Sequence, residues 1–118
     1  MYGWEACDIN ENFRILKYEP GEDFPMHQDP DYARPPSHEL FGDVSLMTLI
    51  VYLNDNFTGG HTQFYGEEPH TLPHTDVKPV AGTAVVFMHK HNHLGTRIET
   101  GVKYTLRTDI MFRRTSPS

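Results

Sequence analysis

The sequence predicts a mainly β protein, and the strand count fits a double-stranded β-helix (jelly roll) of about eight strands in two sheets. Segments rich in β-branched and aromatic residues recur along the chain, separated by Gly, Pro, Asn and Asp. Almost no segment has a helical pattern. The length of 118 residues corresponds to one domain with one core. We therefore expect residues 1–118 to form a single jelly-roll domain.

The first half of the chain contains three expected strands and one long loop. Residues 13–18 alternate in polarity and end at a Glu-Pro-Gly turn, and residues 24–28 form a second, short strand. Residues 29–43 carry three prolines and three aspartates, which indicates a loop. Loops of that length in a compact domain are often functional. Residues 45–53, rich in Leu, Ile, Val and Tyr, give the strongest strand signal.

The second half continues the pattern with shorter strands and glycine-containing turns. A loop that begins at Asn54 closes at Gly59-Gly60, a pair that suits a turn with positive φ. Further strands are expected at 62–65, 76–80, 83–88, 91–98 with an interruption at Gly95, and 102–112.

Composition narrows the range of partners. The net charge of -6 argues against a nucleic-acid surface, which requires clustered Lys and Arg. Cys7 is the only cysteine, so no intramolecular disulfide can form. The first residues lack the features of a signal peptide, and no apolar run reaches the ~18 residues of a membrane span. We expect a soluble, cytoplasmic protein without membrane or nucleic-acid partners; its oligomeric state is open.

A candidate metal site begins at His27-Gln28-Asp29. In an extended chain, the side chains of His27 and Asp29 point to the same face. Two imidazoles and one carboxylate on one face of the metal are the ligand set of non-haem Fe(II) oxygenases. The third ligand must then come from a distant segment. His89, His91 and His93 would share one face of a strand, so geometry alone leaves all three open.

A group of polar side chains on the last expected strand suggests an anionic ligand. Lys103, Thr105 and Arg107 alternate along the strand and share one face. Two positive charges that face a barrel interior are unfavourable unless an anion pairs with them. A dicarboxylate would satisfy this requirement.

Four segments in order resemble a known family: KYEPGEDFPMHQD (17–29), MTLIVYLNDNFTGGHTQF (47–64), VKPVAGTAVVFMH (77–89) and HLGTRIETGVKYTLRTDIMF (93–112). The chain resembles the Fe(II)- and 2-oxoglutarate-dependent dioxygenases, and within them the prolyl 4-hydroxylase-like catalytic domain. His93 lies ten residues before Lys103, the spacing that the family shows, whereas His91 and His89 lie twelve and fourteen residues before it. The resemblance therefore implies His27, Asp29 and His93 as the Fe(II) ligands.

The resemblance also implies a cosubstrate site. Lys103 corresponds to the family residue that pairs with the distal carboxylate of 2-oxoglutarate. Tyr18 and Tyr52 occupy positions where members often place a hydroxyl near the cosubstrate, although aromatic residues on strands commonly pack in the core. Thr48 shares a face with Tyr52 and is expected to line the pocket. Arg107 is expected to contact cosubstrate or substrate, with a structural pair to Asp109 or Glu99 as the alternative.

The activity implied is a dioxygenase that couples oxidative decarboxylation of 2-oxoglutarate to hydroxylation of a substrate by O2, with ascorbate as a reductant. The substrate expected first is a prolyl residue in a peptide or protein. The alternatives are a small molecule or free amino acid, and a non-catalytic metal-binding jelly-roll module. Residues 29–43 and 66–75 are expected to form the substrate rim. Family members usually carry a helical layer before the first strand, which is expected to be missing here or to belong to a longer parent protein.

Overall fold

The computed structural model describes residues 3–67 and 72–115, and all regular secondary structure within them is β. None of these residues belongs to a helix long and apolar enough to cross a membrane. The expected mainly β fold is confirmed. The described strands are β1 (Trp4–Ile9), β2 (Arg14–Tyr18), β3 (Phe24–His27), β4 (Val44–Tyr52), β5 (Thr58–Gly59), β6 (Thr62–Tyr65), β7 (Thr75–Val77), β8 (Ala84–Met88), β9 (Asn92–Gly95), β10 (Ile98–Thr100) and β11 (Lys103–Arg114).

The strands pair antiparallel in two main sheets and one short ribbon, and they form the expected jelly roll. The five-stranded sheet has the order β1-β11-β4-β8, and β2 also pairs with β11. The four-stranded sheet has the order β3-β9-β6-β7, and β5 and β10 form the ribbon. The central strand β11 connects the parts of the first sheet, because it pairs with β1, β2 and β4.

The described strands number eleven, whereas about eight were expected. Strands β5 and β10 are short and pair only with each other, and β1 is the larger difference. Only Trp4 of β1 is partly buried, and the other five residues are exposed. This strand forms by edge pairing with β11 rather than by burial of one face. A strand of this kind has no alternating apolar pattern, and so it could not be predicted from hydrophobic periodicity.

The loop over residues 29–43 contains two buried charges, Arg34 and Asp43, which form ion pairs with each other and with residues outside the loop. The side chain of Arg34 is fully buried, and its Nη1 donates to Asp43 Oδ2 at 2.9 Å. Its Nη2 donates to Glu11 Oε2 at 2.8 Å. On β11, Nη2 of Arg113 donates to Asp43 Oδ2 at 2.9 Å. Hydrogen bonds from Arg113 hold the pKa of Asp43 below the usual carboxyl range, so the carboxylate is the centre of this cluster.

Replacing Asp43 with alanine is expected to lower the free energy of unfolding by about 3 kcal/mol, because it leaves the buried guanidinium of Arg34 with only its two exposed acidic partners. The exposed Glu39 lies in the same loop, and its replacement by alanine is expected to change stability by less than about 0.5 kcal/mol. Urea unfolding of both variants measures the difference. Equal losses in the two variants would show that Asp43 has no special structural role.

Candidate metal centre

His27, Asp29 and His93 lie together at one end of the four-stranded sheet. His27 is the last residue of β3, and it lies directly opposite His93 of β9. Asp29 Oδ1 lies 3.2 Å from His27 Nε2 and 3.5 Å from His93 Nε2. One ligand atom from each residue therefore falls within 4.8 Å of the others. Asp29 and His93 are buried and His27 is partly exposed, so the site opens to one side.

The two imidazole rings have the orientation that a metal ligand requires. His27 Nδ1 lies 2.7 Å from the Pro25 carbonyl oxygen, and His93 Nδ1 lies 2.8 Å from the His91 carbonyl oxygen. A carbonyl oxygen can only accept, so each Nδ1 carries a proton, and the neutral form of each ring then has its lone pair on Nε2. This arrangement, with the outer ring nitrogen bonded to a carbonyl, is typical of metal-bound histidine.

The Asp29 carboxylate is held ionised and has different partners on its two oxygens. The Thr48 hydroxyl donates to Oδ2 at 2.6 Å, and Arg107 Nη2 lies 3.4 Å from the same oxygen. Burial raises the pKa of Asp29, but the contact with the His93 ring, the hydrogen bond from Thr48 and the charge of Arg107 outweigh it and keep the pKa well below its usual range. Two neutral imidazoles and one carboxylate therefore fit Fe(II), with Oδ1 available to the ion.

Of the three distal histidines that the sequence left open, the structure brings His93 to the site. The strand begins at Asn92, so His89 and His91 lie in the preceding turn rather than on one strand face with His93. His91 Nε2 contacts His74 Nε2 at 2.7 Å on the surface. His89 lies in this turn, yet it is 1% exposed and hydrogen-bonded on both ring nitrogens.

Replacing His93 with alanine is expected to weaken Fe(II) or Co(II) binding by more than about 100-fold, beyond the 10–100-fold loss typical of outer partners of a metal site. Replacing His91 with alanine is expected to change affinity by less than about threefold, because the carbonyl that orients His93 belongs to the backbone. Anaerobic calorimetric titration compares the two variants. The reverse order of affinities would make His91 the distal ligand.

A cavity between the two main sheets joins the metal centre to the last strand. Lys103, Thr105 and Arg107 all line it, as their alternation on β11 predicts, and Tyr18 of β2 lines it beside them. The metal-site residues His27, Asp29 and His93 form part of the same wall. The cavity thus connects a candidate metal to two cations that could bind an anion.

Lys103 is the buried cation of this cavity. It is 6% exposed, and its Nζ donates to the Gly60 carbonyl oxygen at 2.7 Å. Nζ also lies 5.2 Å and 5.3 Å from the ring centroids of Tyr18 and Tyr52. Burial lowers the pKa of Lys103 to about 8. Within residues 3–67 and 72–115 no carboxylate forms an ion pair with it, so a charged Lys103 lacks an anionic partner there.

Gly60 lies in a turn that passes close to the Lys103 side chain. Its φ of 68° is left-handed, as expected for the Gly59-Gly60 turn. A Cβ at residue 60 would lie 2.7 Å from Ile98 Cδ1 and 3.2 Å from Lys103 Cδ. The turn therefore brings a backbone carbonyl close to the ammonium group.

Thr48 and Tyr52 lie outside the set of residues that line the cavity. The Thr48 hydroxyl binds Asp29, and the Tyr52 hydroxyl lies 2.7 Å from Thr62 Oγ1. Both side chains are fully buried on β4. Contact of Thr48, Tyr52, Tyr18 and Lys103 with a cosubstrate stays a prediction.

Arg107 pairs with Asp29 rather than with the partners considered from the sequence. Its Nη2 lies 3.4 Å from Asp29 Oδ2, and the part of the chain that the structure describes shows no ion pair from Arg107 to Asp109 or Glu99. It also lines a second groove with Pro30, Asp31 and Tyr32 of the loop, so that loop adjoins the site. Of the second expected rim segment, residues 68–71 lie outside the described residues.

Comparisons with known proteins agree with this geometry. A sequence model described as the 2OG-Fe(II) oxygenase superfamily matches residues 13–108. A search of curated proteins gave no significant match. Similar solved structures include an oxidoreductase of the 2OG-Fe(II) oxygenase family from Burkholderia pseudomallei, with a TM-score of 0.65 and 16% identity over 96% of this chain and 45% of that chain.

Two further structures are prolyl hydroxylases. A prolyl-4-hydroxylase from Pseudomonas putida has a TM-score of 0.62 and 21% identity, over 92% of this chain and 54% of that chain. A viral collagen prolyl hydroxylase from Paramecium Bursaria Chlorella virus-1, in a 2OG complex, has a TM-score of 0.59 and 26% identity, over 85% of this chain and 59% of that chain. The chain thus spans about half the length of these structures.

The family match covers most of the chain, from the first strand of the sequence prediction to the cations of β11. It includes all three residues of the candidate metal centre and the buried Lys103. The fold of the similar structures is the fold observed here. The chain therefore belongs to the 2OG-Fe(II) oxygenase superfamily, a family that is defined by Fe(II) and 2-oxoglutarate.

Proposed function

We propose that this chain is a dioxygenase that couples oxidative decarboxylation of 2-oxoglutarate to hydroxylation of a prolyl residue in a peptide or protein. His27, Asp29 and His93 would hold Fe(II) through three ligand atoms and leave the remaining positions open. The ion supplies the activation of O2 and of the cosubstrate. The protein residues bind both substrates, orient them and exclude water.

The observation that carries this proposal is the buried Lys103 in the same cavity as the metal centre. A buried ammonium with one carbonyl acceptor is unfavourable unless an anion joins it. A second carboxylate on a ligand that also chelates the metal would supply that anion. In this proposal Lys103 binds the distal carboxylate of 2-oxoglutarate, and a metal-binding module without turnover would not need such a cation.

Four further residues have proposed cosubstrate roles. Tyr18 lines the cavity beside Lys103 and would contact 2-oxoglutarate directly. Tyr52 lies against the Lys103 ammonium and would support it from behind. Thr48 and Arg107 would act through Asp29, which both of them contact.

The prolyl substrate is supported by the viral collagen prolyl hydroxylase, which shares 26% identity and the fold with this chain. Residues 29–43 would form part of the substrate rim, because the loop follows Asp29 directly and adjoins Arg107. Ascorbate would serve as the reductant that keeps the iron in the Fe(II) state. Hydroxylation of a free amino acid or another small molecule by the same residues is the alternative.

An anaerobic titration tests the cosubstrate site before any substrate is known. Fe(II) is added to the purified chain, followed by 2-oxoglutarate, and the weak visible charge-transfer band of the chelated pair is expected to appear. Asp29→Ala is expected to lose it. A folded, iron-loaded chain without the band would instead indicate a non-catalytic binding jelly roll.

The substrate is tested in a second experiment, with Fe(II), 2-oxoglutarate, O2, ascorbate and a collagen-like peptide. Peptide-dependent succinate release and addition of one oxygen atom to proline are expected. The same release with free proline or another small molecule, and none with peptide, would favour the alternative substrate class.

A further inference from the structure

A chain of hydrogen bonds runs behind Asp29, away from the cavity. Thr48 Oγ1 lies 2.6 Å from Asp29 Oδ2 and 2.8 Å from His89 Nδ1. On the other side of the ring, His89 Nε2 lies 2.9 Å from Ser45 Oγ, and the Tyr32 N–H donates to that oxygen at 2.7 Å. Thr48, Ser45 and His89 are at most 1% exposed, so solvent does not compete for these bonds.

The direction of each bond in this chain follows from the one before it. The Asp29 carboxylate can only accept, so the Thr48 hydroxyl donates its hydrogen bond to it. Thr48 Oγ1 must then accept from His89, which places a proton on Nδ1. A neutral ring accepts on Nε2 from the Ser45 hydroxyl, and Ser45 Oγ accepts from the Tyr32 N–H. All four bonds are satisfied by this single arrangement.

The arrangement determines which oxygen of Asp29 is available to the metal. Oδ2 is occupied by Thr48 and Arg107, whereas Oδ1 faces Nε2 of both metal-site histidines. In the opposite setting the Thr48 hydroxyl would donate to the ring and turn a lone pair toward the Asp29 carboxylate, which has no proton to donate. The His89 ring thus acts on Asp29 through one intervening hydroxyl.

Two backbone hydrogen bonds hold His89 beside Leu46 and Asp29. Its N–H donates to the Leu46 carbonyl oxygen at 2.9 Å, and its carbonyl oxygen accepts from the Asp29 N–H at 2.8 Å. The described carboxylates that act on the ring are those of Asp109, Asp29 and Asp31, and Asp109 Oδ1 lies 3.8 Å from Nε2. The residue is therefore tied to Asp29 by its backbone and through its side chain, while the Tyr32 end of the chain belongs to the 29–43 loop.

We propose that His89 is a positioning residue of the metal centre, which acts through Thr48 to keep Asp29 Oδ1 directed at the metal and through Ser45 to connect this carboxylate to the 29–43 loop. The inference rests on the proposed metal site. Outer partners of metal ligands typically change metal affinity by about 10–100-fold when they are replaced.

Two substitutions at residue 89 separate this role from ordinary packing. In His89→Asn, the amide nitrogen can occupy the position of Nδ1 and donate to Thr48, but the bond to Ser45 is lost. In His89→Gln, the amide can occupy the position of Nε2 and bind Ser45, but Thr48 loses its donor. Each variant removes one buried hydrogen bond, so similar losses of thermal stability are expected in the absence of metal.

Titration with Co(II), followed by its visible d–d spectrum, is the readout. We expect His89→Asn to bind Co(II) within about threefold of the wild type, and His89→Gln to bind about 10-fold more weakly with an altered spectrum. Equal Co(II) affinity in both variants, whether reduced or unchanged, would overturn the proposal.

Thr48 provides an independent pair if the residue 89 variants do not fold. Thr48→Val removes the hydroxyl without changing the shape, and about 10-fold weaker Co(II) binding is expected, whereas Thr48→Ser should restore it. Equal binding by the valine and serine variants would contradict the relay through this hydroxyl. Wild-type protein that binds Co(II) no better than Asp29→Ala would instead show that the metal site itself is wrong.

Discussion

Replacing Asp29 with alanine is expected to lower Fe(II) or Co(II) affinity by more than about 100-fold and to abolish 2-oxoglutarate turnover. This loss of affinity is larger than the roughly 10–100-fold loss typical of residues that only hydrogen-bond to a metal ligand. The variant removes a carboxylate whose Oδ1 lies within 3.5 Å of both histidine Nε2 atoms. Two neutral imidazoles would remain, with no negative charge to balance the ion. The charge of Arg107, which Asp29 now neutralises, would then repel a cation.

Asp31 offers a matched control for this experiment. It is an exposed aspartate in the same loop, and it lines the neighbouring groove rather than the metal centre. Asp31→Ala is expected to bind Co(II) within about threefold of the wild type. Calorimetric titration gives the affinities, and the thermal midpoint without metal shows that each variant is folded. If Asp29→Ala and Asp31→Ala bind equally well, the ion is held elsewhere.

The parts of the fold that the sequence predicted correctly are those where local pattern and final environment agree. The strong signal at 45–53 corresponds to β4 (Val44–Tyr52), and the final segment corresponds to β11 (Lys103–Arg114). On β11 the alternation of side chains was enough to place Lys103, Thr105 and Arg107 on the cavity wall. A period of two residues is a local property and does not depend on which strand lies opposite.

Features that depend on pairing between distant strands could not be predicted in this way. Met47 of β4 pairs with Met88 of β8, and this register puts Thr48 and His89 side by side although they are 41 residues apart. Strand geometry alone also left the distal ligand open, and the ten-residue spacing to Lys103 in the family resemblance is what indicated His93, which the structure brings to the site. His91 and His93 are two residues apart, so they would lie on the same face of an extended strand. In the structure β9 begins at Asn92, which leaves His91 in the turn and puts His93 on the strand.

The loop over 29–43 shows a third kind of limit. Its prolines and aspartates predicted irregular structure correctly, but they gave no indication that Arg34 would be fully buried. Burial of an arginine requires carboxylates that come from elsewhere, and here Glu11 and Asp8 lie outside the loop. Such clusters are set by tertiary structure and have no local signature.

Replacing Lys103 with methionine is expected to weaken 2-oxoglutarate binding by about 30-fold to 1000-fold, or about 2–4 kcal/mol, which is the usual cost of leaving one buried charge of a pair without its partner. Lys17 is the control, since it is an exposed lysine on β2, opposite Tyr104 of β11. Lys17→Met is expected to keep the wild-type affinity, and Fe(II) binding is expected to be unchanged in both variants. Equal 2-oxoglutarate affinity in the two variants would assign the anion site to another cation.

The pH dependence of binding gives a second, independent signature of Lys103. Burial lowers its pKa to about 8, and a bound carboxylate would raise that pKa again. Below pH 8 the ammonium is already charged, so binding needs no proton. Above pH 8 binding must take up one proton, and affinity is expected to fall as pH rises. Calorimetry in two buffers with different ionisation enthalpies measures this uptake, which should be absent in Lys103→Met.

Stability of the free protein is expected to change in the opposite direction to affinity. The pKa of Lys103 is about 8 when folded, against 10.5 for an unperturbed lysine, so the unfolded chain binds more protons between these values. The wild type should therefore become more stable as pH rises from 8 to 10.5, because the burial penalty disappears on deprotonation. At neutral pH, Lys103→Met removes this penalty, and its free energy of unfolding is expected to be about 1–3 kcal/mol higher than that of the wild type. A variant that loses its ligand and gains stability cannot have failed by misfolding, and this combination is the result expected of a cation kept buried for an anionic ligand.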